Sequence, residues 1–116
     1  MQNQTIHLNT ATYVGIDAHP TEHTALAINR FEEEKGTLRF ANTIAGITEF
    51  FSWLKTVAKQ PAQTIIGIEG RGTSGNAIVF SLLQTYQHVY EVNPRYKSSD
   101  APLAPEAANQ IRWMLN

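Results

Sequence analysis

Two apolar segments that each end on a carboxylate constrain the fold of this chain more than any other feature of its sequence. The first covers residues 13–17 (YVGID) and the second covers residues 64–69 (TIIGIE). Nearly continuous apolar runs of this length are typical of strands that are buried on both faces of a sheet. When two such strands lie side by side, their ends meet at one crevice, which is where ligands usually bind. The sequence therefore predicts that Asp17 and Glu69 lie together at one end of an α/β sheet.

The remaining segments indicate how these two strands are connected. The stretch between Asp17 and the next strand leaves room for a turn but not for a helix, which excludes a flavodoxin-like order and predicts an antiparallel meander. Apolar residues at three- and four-residue steps then predict a helix that begins after Thr43 and ends before Pro61. The other predicted elements are strands over 24–29, 37–41 and 88–92 and helices over 76–87 and 105–115. The order β-β-β-α-β-α-β-α is that of a ribonuclease-H-like fold, an α/β architecture with a mixed five-stranded sheet flanked by helices.

The composition limits what the chain contacts. Its 116 residues are the usual size of one domain, and it has no cysteine, so neither a disulfide nor a thiolate metal site is expected. No apolar run approaches the roughly eighteen residues of a membrane span, and the polar start lacks the pattern of a leader. We expect a cytoplasmic protein with no membrane contact, a polar N-terminal extension over residues 1–12 and one domain over residues 13–116. The formal net charge of −1 does not support a broadly basic nucleic-acid-binding surface.

The two carboxylates indicate divalent-metal chemistry. Two acids held close together repel each other unless a cation lies between them, and oxygen ligands suit hard ions such as Mg²⁺ or Mn²⁺. Two such ions, held about 3.5–4 Å apart, stabilise both the attacking and the leaving oxygen when a phosphodiester is cleaved. The alternative for Asp17 or Glu69 alone is structural, with the acid capping a turn or pairing with Arg71.

Asp100 is the third candidate ligand, because it lies just before the predicted last helix. Its carboxylate either caps that helix, where acids are favoured, or faces the strand ends that carry Asp17 and Glu69. The sequence leaves both interpretations open. Glu106 lies in the first turn of the same helix and is interpreted as a surface acid.

A modest basic group is expected near the same end of the sheet. Arg71, Arg95 and Lys97, together with Tyr96, could contact a phosphate backbone or stack a base. The alternative is that they form an ordinary polar rim. They are the nucleic-acid-binding residues that the sequence predicts.

Two further patterns carry less information. The glycine-rich turn over residues 70–75 leads into a helix, whose exposed amides suit a phosphate, but it matches neither a P-loop nor the dinucleotide fingerprint. His19 and His23 are four residues apart around the first hairpin. Without a third ligand they are poor evidence for zinc, and we interpret both as solvated turn residues.

Four motifs in order resemble those of DEDD-type transposases. They are YVGID at 13–17, GIEGxGxxG at 67–75, EVNP at 91–94 and KSSD at 97–100. Over residues 13–115 the chain is similar to the N-terminal domain of bridge-RNA-guided insertion-sequence recombinases, which are related to the Piv and MooV invertases. The resemblance implies a domain like the Holliday-junction resolvase RuvC, which coordinates Mg²⁺ through four acids. It implies that Asp17, Glu69 and Asp100 are the first three of these catalytic metal ligands, and that DNA, a guide RNA and a second copy of the chain are partners.

The chain departs from the family pattern at the fourth acid. The family has an Asp three residues after the third acid, whereas this chain has Leu103 there, or Ala104 if one residue is inserted. Family members also continue into a second domain that bears a catalytic serine, and this chain ends at Asn116. We therefore expect a domain for metal-dependent DNA strand cleavage during transposition that performs weak or no strand exchange by itself.

Two other hypotheses fit parts of the sequence. One is a non-catalytic ribonuclease-H-like domain that binds nucleic acid or mediates dimerisation through Ile111, Trp113 and the last helix. The other is a fragment of an actin-like or sugar-kinase ATPase, which also begins with a Gly-Ile-Asp strand but needs a second phosphate loop and a far longer chain. Metal binding distinguishes the first of these from the catalytic hypothesis.

Overall fold

The structure has the α/β architecture that the strand order predicts. It is a computed structural model that describes residues 10–69 and 75–91. The described elements are β1 (Thr12–Asp17), β2 (Glu22–Ile28), β3 (Glu34–Ala41), α1 (Ile44–Val57), a 3-10 turn (Pro61–Gln63), β4 (Thr64–Glu69), α2 (Asn76–Leu83) and β5 (His88–Glu91). The helix predicted over 105–115 lies outside these residues. Neither α-helix in this part of the chain has the length and apolar character that a membrane crossing requires.

The five strands form one mixed sheet with the order β3-β2-β1-β4-β5. Strand β2 pairs antiparallel with β1 and β3, and strand β4 pairs parallel with β1 and β5. Parallel neighbours need a crossover, and the helices α1 and α2 lie in the two crossovers. This arrangement confirms the ribonuclease-H-like fold class. It also makes the two strands that end on carboxylates neighbours in the middle of the sheet.

The two faces of the sheet carry separate apolar clusters, because side chains alternate along each strand. The larger cluster joins the sheet to α1 and α2, and its fully buried members are Val14, Ile16, Ala25, Ala27, Phe50, Leu54, Ile66, Ile78 and Leu82. The smaller cluster comprises Ala11, Tyr13, Leu26 and Ile28, with Ile65 packed against it. Positions 13, 15 and 17 of β1 therefore face away from the two described helices.

Helix α1 begins where the sequence predicts, because Thr43 caps it. Thr43 has an extended backbone, and its hydroxyl accepts a hydrogen bond from the Gly46 amide at 3.0 Å. This bond satisfies one of the amides that every helix start leaves without an intrahelical partner. One turn further on, Phe50 is fully buried and stacks on Phe40 of β3, with ring centroids 4.7 Å apart. The cap and this stack fix α1 against the sheet.

The turn between β2 and β3 comes earlier than the sequence predicts. The charged residues and the glycine over 32–36 predict a turn there, whereas β3 already begins at Glu34. The physical reason is Asn29, whose side-chain oxygen accepts hydrogen bonds from the amides two and four residues further along, at 2.9 and 3.0 Å. Glu32 adopts the left-handed φ of 63° within this turn. An Asn side chain that accepts hydrogen bonds from the backbone amides just after it determines the position of the turn more strongly than the charged residues that follow.

Helix α2 ends at Leu83, four residues before the predicted end at residue 87. The amides of Gln84 and Thr85 donate to carbonyls three residues earlier, which closes the helix in a tighter turn. This closure directs Tyr86 into the core, where it is 4% exposed. Leu83, which the helical period predicts to face inward, is 58% exposed instead.

Burial of Tyr86 predicts a loss of stability in alkaline solution, because burial raises the pKa of its phenol above the ordinary value of 10.0. Above that pH the unfolded chain ionises the phenol and the folded chain does not, so the unfolded state binds fewer protons. The free energy of unfolding is therefore expected to be undiminished below pH 10.0 and to fall as the pH rises further. Urea unfolding should show a smaller alkaline decline for Tyr86→Phe than for the wild type. The exposed Tyr90 gives the control Tyr90→Phe, and equal declines for all three proteins would contradict the prediction.

Candidate metal centre

Asp17 and Glu69 end β1 and β4 and lie directly opposite each other. They are partners in the parallel register, and the Ala18 amide donates a hydrogen bond to the Glu69 carbonyl oxygen at 2.8 Å. This bond extends the ladder one residue beyond β1 and holds the two chains together where the carboxylates lie. The fold thus brings together two of the residues that the sequence singled out.

Both acids lie on the sheet face that is turned away from α1 and α2. Residues in register on parallel strands project to the same face, and consecutive residues of one strand project to opposite faces. Ile16 packs on the helix side, so Asp17, which follows it, projects to the other face. The preceding residues on the acids' face are Gly15 and Gly67, which are also partners in the register. Because glycine has no side chain, nothing bulky on these two strands separates the carboxylates from the sheet backbone behind them.

The two acids differ in their exposure to water. The side chain of Asp17 is 20% exposed, whereas Glu69 is 2% exposed. An ionised carboxylate that is removed from water needs compensating charge or hydrogen bonds. A second carboxylate beside it increases that need, because like charges repel. Carboxylate oxygens are ligands that suit a divalent cation, and the partly exposed Asp17 gives such a cation a side from which to approach.

His19 contacts the exposed side of this pair. Its Nε2 lies 3.0 Å from Oδ2 of Asp17. An ionised carboxylate only accepts hydrogen bonds, so Nε2 is the donor. The contact therefore selects the form of the ring that carries a proton on Nε2. The side chain of His19 is 54% exposed, which agrees with the interpretation as a solvated turn residue. No spacing in the sequence indicates the contact with Asp17, which depends on how the turn folds back over the end of β1.

His23 is not the solvated turn residue that its spacing predicts. It belongs to β2, is fully buried, and its ring centroid lies 5.2 Å from that of Phe40. Its Nδ1 accepts a hydrogen bond from the His19 amide at 3.3 Å, which ties the turn to the strand. His23 lies two and four residues before the buried Ala25 and Ala27, so it shares their face of β2 because the strand extends back to Glu22.

Replacing His23 with Leu is expected to loosen the turn that carries His19. Leucine fills the apolar space but cannot accept the amide hydrogen bond, and it also removes Nε2, which has no hydrogen-bond partner among the described residues, so we expect the free energy of unfolding to fall by no more than about 1 kcal/mol. We also expect the ring of His19 to leave Asp17. Amide NMR shifts over residues 18–21 and urea unfolding measure the two effects.

His23→Asn is the matched control, because its Oδ1 can accept the bond in place of Nδ1. It should keep the amide shift of His19 close to that of the wild type, although the smaller side chain leaves a cavity. An unchanged His19 amide in His23→Leu would contradict the role that the hydrogen bond gives to His23.

The start of α2 lies at the same end of the sheet as the two acids, on the opposite face. A Cβ added to Gly75, its N-cap, would meet Cγ2 of Ile68 at 3.4 Å and Cβ of Ala18 at 3.5 Å. The helix thus begins against the neighbours of Glu69 and Asp17. The N-terminal end of a helix carries partial positive charge, which favours negative charge at this end of the sheet. Both distances are ordinary van der Waals contacts, so packing alone does not require glycine at position 75.

The other predicted site residues lie outside the described residues. They are Arg71, Arg95, Lys97 and Asp100. Within residues 10–69 and 75–91, no group of three or more His, Asp or Glu side chains is arranged to hold a metal ion. A third protein ligand would therefore have to come from the rest of the chain, and Asp100 stays a prediction.

A comparison with known protein families finds a match for this chain. The family model of the IS110-type DEDD transposases, described as transposase, matches residues 14–106. That range is most of the chain and includes both acids at the ends of the central strands. No curated protein matches the chain.

Proposed function

The chain belongs to the DEDD transposases of the IS110 type, and from that premise we propose that it cleaves DNA strands during transposition with the help of divalent metal ions. Asp17 and Glu69 are the proposed catalytic metal ligands from the described part of the chain. Asp100 is proposed as the third, on the basis of its place in the sequence motif. Arg71, Arg95 and Lys97 are proposed to contact the DNA backbone.

The observation that carries this proposal is the register between β1 and β4, which pairs the two terminal acids. The donor set fits Mg²⁺ or Mn²⁺, because it consists of carboxylate oxygens on two rigid neighbouring strands. Bound there, such ions would stabilise the charge that develops on the attacking and leaving oxygens of a phosphodiester. The family predicts the same cofactor class independently of the geometry.

The residues of the chain have separate proposed roles at this site. Glu69 is buried and supplies a carboxylate whose position is fixed by β4, while Asp17 supplies one that remains open to solvent. The Nε2–H of His19 fixes the direction of Oδ2 in Asp17. Positioned oxygen atoms of this kind lower the reorganisation that a reaction would otherwise require.

The wider assignments follow the family rather than the geometry. We propose DNA as the substrate, a guide RNA and a second copy of the chain as further partners, and the cytoplasm as the location. Because Leu103 or Ala104 stands where the family has its fourth acid, we propose that this chain does not complete strand exchange by itself. The same replacement favours the second candidate function, a domain that binds nucleic acid without cleaving it.

A nicking assay tests the proposal. The purified chain is incubated with supercoiled DNA in Mg²⁺, in Mn²⁺ and in EDTA. We expect slow nicking in either metal and none in EDTA, without joined products from paired DNA substrates. DNA binding without nicking in either metal would favour the second candidate function, and efficient strand exchange would contradict the limit placed on this chain.

A further inference from the structure

A polar cleft lies at the end of β1 opposite to the two acids. It has a volume of about 500 Å³ and is lined by Thr10, Thr12, Lys35, Thr56, Val57, Lys59, Gln60 and Gln63. Asp17 lies five residues along β1 from Thr12, which corresponds to about 16 Å of strand. The cleft is therefore separate from the candidate metal centre.

The lining of the cleft is cationic and rich in hydrogen-bond donors. Lys35 and Lys59 supply two ammonium groups, and within residues 10–69 and 75–91 no carboxylate lines the cleft. Thr12 is 6% exposed, and its hydroxyl accepts a hydrogen bond from Nζ of Lys35 at 3.4 Å. This bond holds one of the two ammonium groups at the base of the cleft. Although the net charge of the chain is −1, two lysines among described lining residues that carry no acid form a local site for an anion.

The acid next in sequence is engaged elsewhere. Glu34 precedes Lys35, and its Oε2 accepts a hydrogen bond from the hydroxyl of Thr37 at 3.0 Å. Its carboxylate is not among the groups that line the cleft. The carboxylate of Glu34 therefore does not neutralise the ammonium group of Lys35 at the cleft.

We propose that this cleft binds a backbone phosphate of the nucleic acid on which the chain acts. Lysine ammonium groups supply the charge for such a contact, and threonine hydroxyls and glutamine amides supply the hydrogen bonds that phosphate oxygens accept. The volume exceeds what a lone phosphate needs, which suits a phosphate with its attached sugars. The inference rests on the proposed function, because that function makes DNA the ligand.

The salt dependence of DNA binding tests the cleft. Fluorescence anisotropy with a labelled 12-base-pair duplex (roughly one helical turn) is measured in EDTA, which prevents metal-dependent cleavage, over a series of salt concentrations. The double variant Lys35→Gln/Lys59→Gln is expected to bind more weakly and to lower the slope of log K against log salt by about 2, or about 1 per lysine. Both side chains are exposed, so the variant should fold, and thermal unfolding verifies this.

Lys55→Gln is the matched control, because Lys55 is an exposed lysine of α1 that does not line the cleft. It should leave the slope close to that of the wild type. Equal slopes for wild type and double variant, or an equal loss in the control, would overturn the proposal. Inorganic phosphate that shifts the amides of Thr12 and Gln63, with no response of these amides to the duplex, would identify a free-anion site and overturn it as well.

The same measurements separate this inference from the proposed function. Asp17→Asn/Glu69→Gln removes the candidate metal ligands and leaves the cleft intact, so its salt slope should show the full contribution of the lysines. Nicking in Mg²⁺ together with an unaltered slope in Lys35→Gln/Lys59→Gln would refute the cleft alone. A reduced slope in a chain that nicks in neither metal would support the cleft and refute the cleavage proposal alone.

Discussion

Asp17→Asn and Glu69→Gln are each expected to lower metal-dependent nicking by about a hundredfold or more, since a lost metal ligand removes several kcal/mol of transition-state stabilisation. Both substitutions keep the size and shape of the side chain and remove its charge. The effect should appear in the rate of nicking at saturating Mg²⁺ or Mn²⁺. Thermal unfolding in EDTA separates it from misfolding.

In the absence of metal, the stability of these variants should not fall with their nicking activity. Removing one of two adjacent carboxylates relieves their mutual repulsion. We expect an unfolding temperature that is unchanged or higher in EDTA. Glu49→Gln, at an exposed position of α1, is the control and should change neither property. Full nicking by Glu69→Gln would show that this acid holds no catalytic metal.

Gly46→Ala is expected to destabilise the fold by about 3 kcal/mol, a large effect that reflects overlap with main-chain atoms. A Cβ on Gly46 would overlap the carbonyl oxygen of Ala41 and lie 2.7 Å from its carbonyl carbon. These are backbone atoms at the end of β3, so they cannot move aside as a flexible side chain would. The substitution should push the start of α1 away from the sheet. Urea unfolding followed by circular dichroism measures the loss.

Helix propensity alone predicts the opposite sign for this substitution, because alanine stabilises a helix by about 1 kcal/mol relative to glycine. Ala45→Gly is the matched control at the exposed neighbouring position, where propensity should act alone and lower stability by about 0.5–1 kcal/mol. Because Gly46 lies so close to the backbone of Ala41, we expect both Gly46→Ala and Ala45→Gly to lose stability, with the larger loss in Gly46→Ala. A stabilised Gly46→Ala would contradict the packing of α1 on β3.

The elements that could be predicted from the sequence are those whose signal is local. Strand β4 has the predicted bounds because its apolar run is continuous and ends on Glu69. Helix α1 begins as predicted because Thr43 is a strong N-cap. The β2–β3 turn was misplaced, since the side chain of Asn29 outweighs the charged residues after it. The helical period wrongly predicts that Leu83 faces inward, because it does not locate the tight turn that ends α2.

The candidate site was only partly predictable. The apolar strands that end on Asp17 and Glu69 predict that both acids reach one end of the sheet, and the register places them opposite each other. The hydrogen bond from His19 to Asp17 depends on the path of a turn, and no spacing rule gives that path. The burial of His23 depends on β2 starting at Glu22, earlier than its apolar residues indicate.

Binding of Mn²⁺ to the ¹⁵N-labelled chain, followed by NMR, tests the central claim most directly. Mn²⁺ is paramagnetic and broadens the signals of nuclei close to it. We expect selective loss of amide signals next to Asp17, Glu69 and Asp100 at low metal concentration, and no such loss in Asp17→Asn/Glu69→Gln. Uniform weak broadening at millimolar Mn²⁺, with no site shared by Asp17 and Glu69, would contradict the claim that these two acids form a metal centre.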